Sequence, residues 1–144
     1  MQDWRAKAIE LFPDVPDVEE VVTELSSTVF DLWLELYFTL VDCYQEKPCK
    51  DDLIGRIYDF ASWCLAQPRT DEAESDISSA TAVGFIEHLP LDKQILGDLH
   101  RWVSVETFEG CETLFRYHLS EPEYRAFSAE FLSKKKPFKG QSRL

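Results

Sequence analysis

Apolar side chains in this 144-residue chain return every three or four positions almost from one end to the other. That spacing lines one face of a helix, whereas a half-buried strand needs strict alternation. Hairpin turn pairs such as Asn-Gly are missing, and asparagine does not occur at all. The period therefore dictates an all-α fold. Apolar residues make up 44% and aromatics 13% of the sequence, enough to fill a core, so a disordered chain is excluded. We expect one compact domain over residues 1–133, a bundle of about six or seven helices packed as helical hairpins, followed by a basic tail at residues 134–144.

Prolines and capping residues punctuate the pattern. A first helix is predicted over residues 3–12, anchored by Trp4, Ala8, Leu11 and Phe12 and stopped by Pro13. Residues 17–46 read as one long helix or two: Ser26, Ser27 and Thr28 can cap a new start, yet the apolar and acidic stripes stay in register across them. Pro48 and the capping candidate Asp51 open the next helix, which ends before Pro68, and the polar stretch 68–76 reads as a solvated loop. Further helices are predicted over residues 77–89, from a cap at Asp92 to Val103, from a cap at Ser104 to Leu119, and from a cap at Ser120 to Ser133. The last turns Tyr124, Phe127, Phe131 and Leu132 inward. Gly55, Gly84, Gly97 and Gly110 fall inside four of these helices. Glycine costs a helix roughly 1 kcal/mol against alanine, so their placement points to close helix crossings.

Charge is the second constraint. Between Ala8 and Glu46 stand ten acidic residues and no lysine or arginine. Glu20, Glu24, Asp31, Glu35, Asp42 and Glu46, spaced four, seven, four, seven and four apart, share one helical stripe at roughly 100° per residue. Acids four apart repel by roughly 0.2–0.5 kcal/mol per pair, and a sequence shaped for stability alone would interleave lysines. Phe38 projects between Glu35 and Asp42, off the apolar arc centred near Leu36, and aromatics ringed by charge anchor many interfaces. Asp31, Glu35, Phe38, Asp42 and Glu46 are thus the candidate partner-binding residues. A merely solvated face, with Phe38 buried under a neighbouring segment, is the alternative. The net charge is −12; because Lys134, Lys135, Lys136, Lys139 and Arg143 give the tail +5 without an acid, the body before it carries −17. Such a body suits neither nucleic acid nor an anionic membrane surface, and its natural complement is a basic protein partner. The tail is expected to be mobile or folded back on the acidic face.

Chemistry-bearing motifs do not accompany this charge. Three residues before His88, His100 and His118 stand Phe85, Gly97 and Phe115, so the Glu-x-x-His pairs of helical di-metal sites are missing. Cys43, Cys49, Cys64 and Cys111 show no CxxC pairing and no chelating histidine, which suggests reduced thiols and no zinc set. His88 reads as a favourable charge at its helix end. No glycine-rich phosphate loop occurs. No catalytic residue, no stoichiometric transition metal and no cofactor are therefore expected, and a non-enzyme is predicted. Residues 29–41 form the most apolar run, but Asp31 and Glu35 interrupt a stretch already too short to span a bilayer. The start, Met-Gln-Asp-Trp-Arg, lacks a secretory pattern, and a cytoplasmic protein fits best.

Three runs, IYDFASWCL at residues 57–65, AVGFIEHL at residues 82–89 and DLHRWVSVETFEGCETLFRYHL at residues 98–119, resemble a family of small, acidic, uncharacterised bacterial proteins. The resemblance spans roughly residues 53–132. It implies a compact bacterial domain of helical hairpins without assigned catalysis, and it carries over no functional residue. In size and charge the chain is also similar, by analogy, to toxin-neutralising immunity proteins. The reading that results is a binding protein, most concretely an immunity or inhibitor protein covering a cationic toxin or nuclease surface. A helical scaffold holding a peptide in an apolar groove, and an enzyme without a recognisable motif, stay open beside it. A concave apolar patch would mark the scaffold, and acids on a convex face the inhibitor.

Overall fold

Short polar side chains set where most helices begin. The computed structural model describes residues 3–46, 50–72 and 76–144, and among them the chain forms nine α-helices and no strand. α1 (Trp4–Leu11) starts where the Asp3 carboxylate accepts the Arg5 N–H at 2.9 Å. α2 (Pro16–Thr23) carries proline in its first turn, where the missing N–H leaves no bond unmade. α3 (Val29–Gln45) opens on a capping box: the Asp31 N–H donates to the Thr28 hydroxyl, and the Thr28 N–H donates to the Asp31 carboxylate at 2.6 Å. Residues 17–46 are therefore two helices, because Thr28 offers the backbone a better start than continuation would. α4 (Asp51–Leu65) has Lys50 as its N-cap, without a side-chain bond. Asp51 does not cap; it pairs with Arg101 at 2.8 Å. Pro48 and Cys49 lie outside the described residues.

Each of the next three predicted helices breaks in two. α5 (Ile77–Gly84), capped by Asp76, closes on a bond from the Phe85 N–H to the Thr81 carbonyl at 3.0 Å. The chain continues as a 3₁₀ helix, Ile86–Leu91, that contains Pro90. Proline disfavours α conformation just before it, and Phe85 leaves the helical path to stack on Trp33 at 4.5 Å. α6 (Lys93–Asp98), capped by Asp92 as expected, tightens into a 3₁₀ turn at Leu99–Arg101. α7 (Val105–Gly110), capped by Ser104, parts from α8 (Glu112–Arg116) at Cys111. α9 (Glu121–Lys135) begins on a second capping box, Ser120 with Glu123. Leu132, expected inside, is exposed. None of the helices among the described residues is long and apolar enough to cross a membrane.

α3 lies at the centre, packed against α2, α4, α5 and α6. Its Trp33 is fully buried, and the indole N–H donates to the Thr81 hydroxyl at 2.9 Å, which in turn donates to the Ile77 carbonyl at 2.8 Å. Phe12, Phe60 and Phe85 complete this aromatic cluster, while Phe108, Phe115, Phe127 and Phe131 build another at the α7–α9 end. Each such ring stabilises the fold by roughly 1.5–3 kcal/mol through burial. Gly55 and Gly84 do mark close approaches, since a Cβ there would stand 3.3 Å from the Trp102 ring and 3.2 Å from Trp33 Cβ. Gly97 and Gly110 do not: one meets only the Lys134 ammonium, the other nothing within 4 Å.

The tail is docked, contrary to expectation. α9 runs through Lys134 to Lys135, whose ammonium donates to the carbonyls of His100 and Val103, both at 3.0 Å. The Arg143 and Leu144 N–H groups both donate to the Trp102 carbonyl at 2.9 Å, and the Ser104 N–H donates to the Leu144 carbonyl at 2.8 Å. Leu144 packs against the core, and Arg143 pairs with Asp59 of α4 at 2.7 Å. Residues 134–144 thus seal Trp102 rather than covering the acidic face, because Leu144 and the open backbone groups around Trp102 offer a better seat than surface charge alone.

Candidate functional site

Arg5 positions the acidic surface. Of the two cations just before the acid run, Lys7 pairs with Glu10, whereas the fold turns Arg5 to the backbone rather than to the carboxylates. Its guanidinium donates to the carbonyls of Val22 at 2.8 Å, Glu24 at 3.0 Å and Ser27 at 2.6 Å, with longer bonds to Val21 and Leu25. These are the carbonyls a helix leaves unpaired at its C-terminus and in the turn that follows. One side chain therefore holds the end of α2 against the start of α3.

In the angle so fixed, Asp17, Glu20 and Glu24 of the α2 side face Glu35 of α3 across an open groove of ≈ 390 Å³. Among the described residues no lysine or arginine lines it. Glu24 also accepts from the Ser26 N–H and hydroxyl at 3.3 and 3.0 Å, which holds its carboxyl below the usual carboxylate range. Asp42 and Glu46 lie apart from this groove, in a smaller depression of ≈ 190 Å³ that they share with Asp14, Lys50 and Leu53. There the charge is largely answered: Lys50 pairs with Glu46 at 2.9 Å and Arg56 with Asp14 at 2.6 Å.

The five residues singled out by sequence consequently separate. Asp31 is spent on the α3 cap and Glu46 on Lys50. Glu35 lines the groove and Asp42 is exposed. Phe38 is not buried under a neighbouring segment; it is 54% exposed. Nor does it stand alone. Leu34, also 54% exposed, and Phe30, at 40%, precede it at intervals of four, so the three side chains form a ridge along α3 beside the acids. Sequence reasoning singled out Phe38 alone of the three; reading the same four-residue interval backwards from Phe38 would have found Leu34 and Phe30. It also passed over Asp17, which joins the groove only through the α2–α3 turn.

A second assembly has no counterpart in the sequence patterns. His88 lies inside the 3₁₀ helix, not at an α-helix end, and its carbonyl accepts from the Tyr37 hydroxyl at 3.4 Å. Beside it Glu87, only 8% exposed, stands 2.8 Å from His118 Nε2. One potential ligand atom each of Glu87, His88 and His118 lies within 4.8 Å of the others. The thiols offer less: burial pushes Cys64 up to about 12 and raises half-buried Cys111, which leaves both poor nucleophiles.

Compared with protein-family models, curated proteins and solved structures, the chain matches none.

Proposed function

We propose that this chain is a non-enzymatic binding protein that engages a basic protein partner through the α2–α3 surface, as an immunity or inhibitor protein would cover a cationic toxin or nuclease. The observation that carries this reading is the exposed Phe30–Leu34–Phe38 ridge running beside Glu35 and the acid-lined groove. Three large apolar side chains in line on a charged surface cost solubility, and interfaces use such anchors inside a ring of complementary charge. Contrary to the convex face expected of an inhibitor, the acids surround a concavity, so the partner should enter with a projecting basic segment. That concavity is lined mostly by carboxylates, which disfavours the apolar peptide groove of a scaffold.

The test is capture of the partner from the native organism, followed by binding kinetics. A stoichiometric basic protein is expected. Phe38→Ala should weaken it by about 2 kcal/mol or more, roughly 30-fold, as anchor residues do. Glu35→Lys combined with Asp42→Lys should slow association, most at low salt where steering is strongest. An acidic partner, or a basic one that binds both variants at the wild-type rate in low salt, would sink the reading.

A further inference from the structure

We infer that Glu87, His88 and His118 form a binding site for a first-row divalent transition cation, Zn²⁺ above all. The site is independent of the acidic surface of α3. Glu87 and His88 are consecutive in the 3₁₀ helix, whose Ile86, Leu89 and Pro90 are buried and fix its backbone. His118 follows α8, which packs against that helix and brings the third donor across thirty positions of sequence.

Geometry and chemistry agree on the ligand. The two imidazole rings stand 5.3 Å apart, and the three donor atoms lie within 4.8 Å of one another. Tetrahedral zinc, with bonds of about 2.0–2.2 Å, needs its donors about 3.4 Å apart, so the widest pair closes by no more than about 1.4 Å. His118 can make that movement, because its side chain is 31% exposed. Two imidazoles and one carboxylate form a nitrogen-rich set that suits Zn²⁺ and its neighbours, whereas Mg²⁺ and Ca²⁺ seek oxygen. Three protein donors leave a fourth position, on the solvent side beside His118.

A plain ion pair would need only Glu87 and His118. Here His88 joins them, its Nδ1 buried and without a hydrogen-bond partner among the described residues. Buried polar atoms left unpaired are few in folded proteins, and each calls for a reason. Tyr37 holds the His88 backbone carbonyl and lies 5.9 Å from its ring, and Tyr117 meets His118 edge-on at 4.9 Å.

The experiment strips the full chain with chelator and titrates it with Zn²⁺ and Co²⁺. One equivalent should bind, Co²⁺ should give the visible absorption of a tetrahedral site, and Tm should rise with free Zn²⁺. Losing even a group that only orients a ligand costs 10–100-fold in affinity, so His118→Ala, at an exposed position that leaves the fold standing, should weaken Zn²⁺ by at least about 100-fold. His88→Gln should do the same. His100→Ala is the control: its Nδ1 is likewise buried without a partner, but its ring packs on Phe138 and it belongs to no such trio among the described residues. Absence of a bound equivalent, wild-type affinity in His118→Ala, an equal loss in His100→Ala, or displacement by equimolar Mg²⁺ would each overturn the site.

Discussion

Alanine at Gly84 and alanine at Gly110 should move stability in opposite directions, although both glycines end a helix. A Cβ on Gly84 would stand 3.2 Å from Trp33 Cβ and 3.4 Å from the Phe30 ring, and Trp33 is fixed by its bond to Thr81 and its stack on Phe85. Overpacking at such a seat costs roughly 1–3 kcal/mol. Around Gly110 nothing lies within 4 Å, and there the loss of unfolded-state freedom should stabilise by roughly 0.4–1 kcal/mol. Urea denaturation of the two variants checks both signs; a stable Gly84→Ala would show that the α3–α5 contact is looser than the distances imply. The sequence placed these glycines in helices but could not rank them, because the crowding comes from an element some fifty positions away. The Glu87, His88 and His118 trio was illegible for the same reason. Chelating motifs are read from short spacings, and here two donors are adjacent while the third arrives only through the packing of α8 on the 3₁₀ helix.

At the scale of elements, one acid on the α3 stripe should behave unlike its neighbours. Asp31 completes the capping box, so Asp31→Lys removes a partner of the Thr28 N–H and puts a cation at the positive end of the helix dipole. The cost should be about 1 kcal/mol. Glu35→Lys with Asp42→Lys leaves the cap intact, and the change at Glu35 relieves repulsion from Glu20 and Glu24 across the groove, so stability should hold or rise. Thermal melts at low salt separate the two cases, and equal melting temperatures for the single and double variants would remove the cap argument. The helical class and several caps were legible in the sequence: Asp92, Ser104 and Ser120 cap where their position before an apolar run predicts. Thr28 is the one of the three candidates at residues 26–28 that caps, whereas Asp51 does not cap and Asp3, read as part of its helix, does. The breaks within residues 77–119 were not. Periodicity persists across Phe85, Leu99 and Cys111 because a 3₁₀ turn or a shared N–H rotates the chain too little to disturb an apolar spacing of three or four.

For the whole molecule, the docked tail and the acidic body act together. Truncation after Ser133 removes Lys135 from the His100 and Val103 carbonyls, uncovers the Trp102 carbonyl and the Ser104 N–H, and strips Leu144 from the core. The Arg143–Asp59 pair is partly exposed and should matter little by itself. Burial of one leucine and several backbone bonds of roughly 0.5–1.5 kcal/mol each must exceed the entropy of ordering the segment for it to dock at all, and their loss should lower stability by about 2 kcal/mol or more. Truncation also takes away a +5 segment and leaves a body of −17, so self-repulsion adds a second penalty that salt screens. The two contributions separate by ionic strength. Unfolding measured at low and at high salt should show the truncated chain less stable in both, with the gap narrowing as salt rises but not closing. A gap that vanishes at high salt would mean that the tail acts only as counter-charge, and that the seat around Trp102 contributes nothing to holding the molecule together.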